Sequence, residues 1–134
     1  MKIKNILYIG LLLFVISCNI ETKNTSDKTD FSVKLIVDYG DLKENIEKKI
    51  IAERQLTALE ALQYASVVET HPIGKHVFVS AIDSVKTIRG VEAWYYKVNG
   101  ESPGVLAINN KVNNGDTIRW MYKKDVCSHT VDNK

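Results

Sequence analysis

Residues 91–100 read VEAWYYKVNG, three adjacent aromatic residues running into Asn-Gly. Asn-Gly is the favoured pair for a tight hairpin turn, because both turn positions need positive φ. The residues before it, EAWYYKV, therefore read as a strand. Side chains alternate along a strand, so Trp94, Tyr96 and Val98 point one way. Ala93, Tyr95, Lys97 and Asn99 point the other. Further on, DTIRWMYK (116–123) follows a second turn signal, Asn114-Gly115-Asp116. There Ile118, Trp120 and Tyr122 share a side, opposite Thr117, Arg119, Met121 and Lys123. Two Trp and two Tyr on matched faces predict cross-strand packing in a core. Tyr95 shares its face with Lys97 and is the aromatic residue expected at the surface.

Upstream, FSVKLIVDYG (31–40) alternates with the same period, Phe31, Val33, Leu35 and Val37 on one side. NIEKKIIAE (45–53) is rich in β-branched residues, and a turn between the two gives an antiparallel hairpin. Thr57-Ala58-Leu59-Glu60 is a capping box: the Thr hydroxyl accepts from the backbone three residues on, and the Glu reaches back. The helix it opens is expected to run through ALEALQYASVV (58–68), with Ala58, Leu59, Ala61, Leu62 and Ala65 on one arc. His71-Pro72 and Gly74 are expected to end that element, since a residue before proline is pushed out of helix. HVFVSAI (76–82) reads as one more strand. The order is strand, strand, helix, three strands. That is an α+β, β-grasp-like order: a mixed sheet of about five strands with one helix packed on one face.

The N-terminus reads as an address. Lys2 and Lys4 precede an apolar run, 6–16, which ends at Ser17-Cys18. A charged start, a short apolar segment and a small residue before the cut describe a secretory signal. Val15-Ile16-Ser17-Cys18 resembles a bacterial lipobox, with Val where Leu is usual, which implies that Cys18 becomes a lipidated first residue. The expected organisation is a signal peptide at 1–17, a polar tether at 18–30, a domain at 31–125 and a tail at 126–134. The expected location is extracytoplasmic, at the cell envelope, on a membrane through the lipid. The net charge of +2 falls to about zero once Lys2 and Lys4 are removed. A neutral chain without a clustered basic run gives no reason to expect nucleic acid as a partner. With Cys18 lipidated, Cys127 has no cysteine left to pair with. Cys127 and His129 sit two apart, which is too few ligands for a metal site.

WYYKVNGESPGVLAINNKVNNGDTIRWMY (94–122) resembles the C-terminal domain of transcobalamin and intrinsic factor and its bacterial relatives. Trp94, Tyr96, Asn99, Gly100, Gly115, Asp116 and Trp120 stand at the family's pattern positions. LTALEALQYA resembles its helix start, and VSAIDSV its Ile-Asp-Gly-Val turn, with Ser84 in place of Gly. The resemblance covers about 31–123. It implies a domain that closes over one face of cobalamin, while a separate helical domain, not expected within these residues, covers the other.

Two functions remain open. The first is a ligand-capture protein needing no cofactor of its own, with cobalamin or a similar large cofactor as a possible ligand. Tyr95, Pro103, Val105 and Leu106 are the expected ligand-facing residues, because ESPGVLAINN (101–110) places apolar side chains in a loop. Val105 and Leu106 either face a ligand or fold back over the sheet end. On this reading His71 or His76 could coordinate cobalt through a neutral imidazole, but a lone His without a partner set is expected to be a solvated loop residue. The second is a protein-interaction module or accessory subunit of an envelope transporter or surface assembly. An enzyme is not expected: no nucleophile elbow, phosphate loop or zinc-protease motif occurs. Asp83 and Asp116 are expected to serve turns.

Overall fold

The structure is a computed structural model describing residues 30–126. The signal segment, Cys18, nearly all of the tether, Cys127 and His129 lie outside the described residues. β1 (Phe31–Asp38) buries Phe31, Val33, Leu35 and Val37, the alternation its sequence dictates. β2 (Ile46–Ala52) pairs with it antiparallel, Phe31 opposite Ala52. After α1 (Ala58–Gln63) come β3 (Val68–Ile73), β4 (His76–Ile82), β5 (Val85–Lys86), β6 (Glu92–Val98) and β7 (Thr117–Lys124).

The strands form two sheets instead of the expected single sheet of about five. One has four strands in the order β2-β1-β7-β6, the other three in the order β3-β4-β5. β1 and β7 lie side by side and parallel at the centre of the larger sheet, while its other pairs are antiparallel. The result is β-rich with a minimal helix, rather than a clear β-grasp. The helix is the reason. It spans six residues, not the eleven of ALEALQYASVV. Its start is as the sequence requires: Thr57 Oγ1 accepts from Glu60 N at 3.2 Å, and the Glu60 carboxylate accepts from Thr57 N at 2.8 Å. Its end comes early because Val67, Val68 and Thr70 are β-branched, and such side chains are crowded in a helix and at home in a strand. His71-Pro72 thus lies inside β3. That strand is an edge, where a missing N–H is tolerated.

Ala58, Leu59, Ala61 and Leu62 of α1 are buried in one core cluster that also holds Leu35, Val37, Ile50, Ile118 and Trp120. The aromatic pairs stand opposite each other in register, Trp94 with Tyr122 and Tyr96 with Trp120. Their ring centroids are 5.1 Å apart in both cases, the second pair stacked. Tyr39 meets Trp94 edge-on at 5.6 Å. Two side-chain hydrogen bonds tie the sheets together: Trp94 Nε1 donates to Val85 O at 2.8 Å, and Tyr122 Oη to Lys86 O at 2.7 Å. Asp83 is a third joint, accepting from the buried Tyr39 hydroxyl and, at 2.8 Å, from Val67 N. Burial would push the Asp83 carboxyl up, but these bonds outweigh it and hold it below its ordinary range. Burial first, then Asp83, raises the Tyr39 hydroxyl.

Candidate functional site

Asn99 and Gly100 turn the chain with φ of +50° and +83°, as the pair was expected to. The turn closes only onto Glu101, through Val98 N to Glu101 O at 2.9 Å and Glu101 N to Val98 O at 3.0 Å. β7 does not begin there. A loop at 102–116 intervenes before β6 acquires its partner. Asn99 and Asp116 pin the two roots of that loop. Asn99 Nδ2 donates to Asp116 Oδ1 at 2.8 Å, Thr117 N donates to Asn99 Oδ1 at 2.9 Å, and Asn113 N donates to Asp116 Oδ2 at 2.7 Å. Gly115, at φ +87°, turns its N–H onto Ser32 O at 2.7 Å.

The middle of the loop is docked on the helix. The first N–H groups of α1 have no partner within the helix, and the loop supplies acceptors. Ala58 N donates to Asn110 O at 2.9 Å, and Leu59 N to Ala107 O at 3.1 Å. Val112 N donates to Leu56 O at 3.0 Å, and Val112 is buried to 1 %. Tyr96 Oη donates to Val105 O at 2.6 Å, joining the loop to the stacked Tyr96–Trp120 pair. Burial raises the Tyr96 hydroxyl. A segment without regular secondary structure is thereby fixed from three sides.

Between this loop and the end of β6 lies an open recess of about 380 Å³, and Asn99, Glu101, Ser102, Pro103, Asn110 and Lys111 line much of it. The recess presents a carboxylate, an ammonium, a hydroxyl and amides. On the same loop Val105 is 51 % exposed and Ile108 38 % exposed, so apolar side chains stand at its surface. The arrangement suits a ligand with polar edges and an apolar body. Among the described residues, no group of three or more His, Cys, Asp or Glu comes together that could hold a metal ion.

A family model described as a domain of unknown function, DUF4430, matches residues 55–124. The chain belongs to the DUF4430 family. The match begins at Gln55, whose side chain donates to Val112 O at 2.9 Å, and it takes in the whole recess. None of the curated proteins matches the chain. Among solved structures it is similar to a protein of Ruminococcus gnavus provisionally described as metal binding, at 17 % identity and a TM-score of 0.61, over 71 % of this chain and 98 % of that one. It is also similar to haptocorrin in complex with Cbi, at 14 % identity and a TM-score of 0.59. That likeness covers 74 % of this chain but only 26 % of haptocorrin. At such identities the likeness is one of fold.

The DUF4430 fold separates the residues expected to face a ligand. Pro103 is half-buried and lines the recess, Val105 is exposed, and Leu106 is half-buried on the same loop. Tyr95 is elsewhere. It lies on the opposite side of β6 from Tyr96, donates to Asp125 Oδ1 at 3.2 Å and accepts from Val126 N at 3.2 Å. Lys123 Nζ stands 4.8 Å above its ring. The polar lining, Ser102, Asn110 and Lys111, was not singled out from the sequence, because nothing in its spacing shows that the loop folds back onto a helix end. Asp116 does serve its own turn, through Asn113 N, and also joins distant elements; Asp83 sits in a turn, but its side chain accepts from Val67 N and the Tyr39 hydroxyl instead.

Proposed function

We propose that this domain is a non-catalytic binding protein of the cell envelope, anchored by lipid on Cys18. At the recess beside 98–116 it receives one edge of a large, partly apolar cofactor, and cobalamin or a related corrinoid is the first ligand to test. The observation that carries this reading is the preformed loop. Its backbone is hydrogen-bonded to α1, β1 and Tyr96 by the chain's own groups, so little ordering entropy opposes binding. The fold likeness to haptocorrin in complex with Cbi and the family motifs supply the ligand class. A recess of about 380 Å³ accepts only part of a corrinoid, which fits a half-site whose second wall comes from elsewhere.

Titration of the purified chain with cobinamide and with cobalamin tests the reading, followed by corrin absorbance and by Trp fluorescence. A saturable change is expected, weakened by Ser102→Ala with Lys111→Ala. No response to either corrinoid from micromolar to millimolar concentration would sink it. The anchor is tested separately: Cys18→Ala should release the protein from the membrane fraction.

A second reading, an interaction module or transporter accessory subunit, draws on the β3–β4 hairpin. Ile73 and Phe78 stand exposed near its tip, with His76 beside the Phe78 ring at 6.4 Å. Co-purification of a transporter component that is lost on Phe78→Ser would favour it over the corrinoid reading.

A further inference from the structure

α1 covers one side of the four-stranded sheet. The side chains at the registers that point the other way are Ser32, Lys34, Ile36 and Asp38 on β1, and Ile51, Lys49 and Glu47 on β2. On β7 and β6 they are Thr117, Arg119, Met121 and Lys123, and Lys97, Tyr95 and Ala93. Five cations thus share this face with two carboxylates, in a chain whose charge beyond the signal is close to zero.

The cations are not scattered. Lys49 stands directly opposite Lys34 across β2 and β1. Two residues further along, Arg119 stands directly opposite Lys97 across β7 and β6. Each strand gives one cation to a stripe that crosses the whole sheet, with neighbouring strands about 4.8 Å apart. Like charges directly opposite each other weaken a sheet, and this one has two such pairs side by side. Lys34 is met by Glu47 at 2.7 Å and Arg119 by Asp38 at 3.6 Å. Among the described residues no carboxylate ion-pairs with Lys49 or Lys97. At one end of the stripe an open hollow of about 360 Å³ is lined by Ser32, Lys34, Glu47, Lys49 and Gly115. Ile51, on the same face, is 56 % exposed.

We infer that this face docks on the surface of an anionic phospholipid bilayer. A stripe of cations answers a plane of phosphates, and an exposed Ile beside it can enter the headgroup layer. The sequence supplies the proximity. Only the twelve residues 19–30 separate Cys18 from Phe31, and the strand that begins there carries Lys34. The inference leans on the anchor for that proximity alone, and it is independent of what the recess binds. One lipid chain gives marginal attachment and a basic patch is the usual second signal, so the face also sets which way the domain sits on the membrane.

The test uses residues 18–134 carrying Cys18→Ser, so that neither the apolar run 6–16 nor a lipid can hold the protein on vesicles. Flotation is compared on vesicles of phosphatidylcholine alone and of an equal mixture with phosphatidylglycerol. Stronger binding to the anionic vesicles is expected, falling roughly tenfold or more with Lys49→Gln/Lys97→Gln and falling again with added salt. The charge-matched control Lys75→Gln/Lys124→Gln should change it little. The Lys49/Lys97 variant removes repulsion and no ion pair, so its melting temperature should hold or rise, which separates lost docking from lost folding. Equal binding to both vesicle types, or an unaffected variant, overturns the inference. Retention by an acidic polysaccharide without anionic-vesicle binding also overturns it, and gives the face to a glycan.

Discussion

Two segments leave the core of this domain, and they differ in kind. The β3–β4 hairpin has regular pairing along its length, yet β3 is exposed at every residue after Val68. The loop at 102–116 has almost no regular pairing, yet it buries Ala107 and Val112 and ties its backbone to α1 and β1. Ladder hydrogen bonds alone do not make a segment rigid, because water competes for them wherever they are exposed. Burial and side-chain ties do. The binding surface is therefore sought on the irregular segment, and the regular hairpin is the one free to adapt to a partner.

The largest expected effect sets the two against each other. Val112→Ala should destabilise the domain by about 2 kcal/mol, through a cavity under the loop. Ile73→Ala, on the 59 % exposed hairpin tip, should change stability by less than about 0.5 kcal/mol. Denaturant unfolding measures both. Equal losses would mean that the hairpin is packed as tightly as the loop.

A second contrast lies in the aromatic pairs that support the two segments. Trp94 Nε1 donates to Val85 O and so holds the smaller sheet, whereas the buried Trp120 Nε1, beneath the loop, has no partner among the described residues. Trp94→Phe should cost about 1–2 kcal/mol more than Trp120→Phe, because only the first strands a carbonyl. Comparable losses would show that the Trp94 bond adds nothing to the joint.

The turn at the base of the hairpin carries a correctable strain. Ser84 sits at φ +71°, in the left-handed region that disfavours a side chain. Ser84→Gly should stabilise the domain by about 0.5–1 kcal/mol, net of the entropy glycine loses on folding. Protection of β3 amides from hydrogen exchange should rise with it. A fall in melting temperature would mean that the Ser84 side chain makes a contact worth more than the strain.

The two segments were also unequally legible. Alternation in 31–38, 92–98 and 117–123 marked which side chains face the core, and the capping box marked where α1 begins. These are local patterns, and local physics sets them. The end of α1 was only partly local, since the β-branched Val67, Val68 and Thr70 favour a strand but do not say where the helix stops. Ala65 continues the apolar arc, but Asp83 N donates to Val67 O at 2.8 Å and draws the chain into the hairpin. The recess was hidden for a similar reason. Asn99 and Asp116 looked like two separate turn residues, and only the fold brings Asn99 Nδ2 to 2.8 Å from Asp116 Oδ1. Of the residues expected to face a ligand, the three on the loop stay together because sequence neighbours in one loop must. Tyr95 is taken away by the strand period, and it is half-buried with its hydroxyl on Asp125 where that period predicted exposure.

The smallest expected effect concerns the helix on which the loop is docked. Arg54 and the Thr57 backbone hold the Glu60 carboxyl well below its ordinary range, at about 2. In the unfolded chain the same group takes up a proton near its ordinary value of 4.5. Between those values the unfolded state binds more protons than the folded one, so this contribution is present above pH 4.5 and drains away as pH falls towards 2. The bridge to Arg54 is solvent-exposed, which keeps the effect modest. Glu60→Gln should lower stability at neutral pH and flatten its decline over that acid window, with the loop amides Asn110 and Val112 losing protection first. A variant whose acid decline matched the native chain would mean that the capping box does not hold the loop, and that the loop instead rests on Val112 and the Asn99–Asp116 clasp.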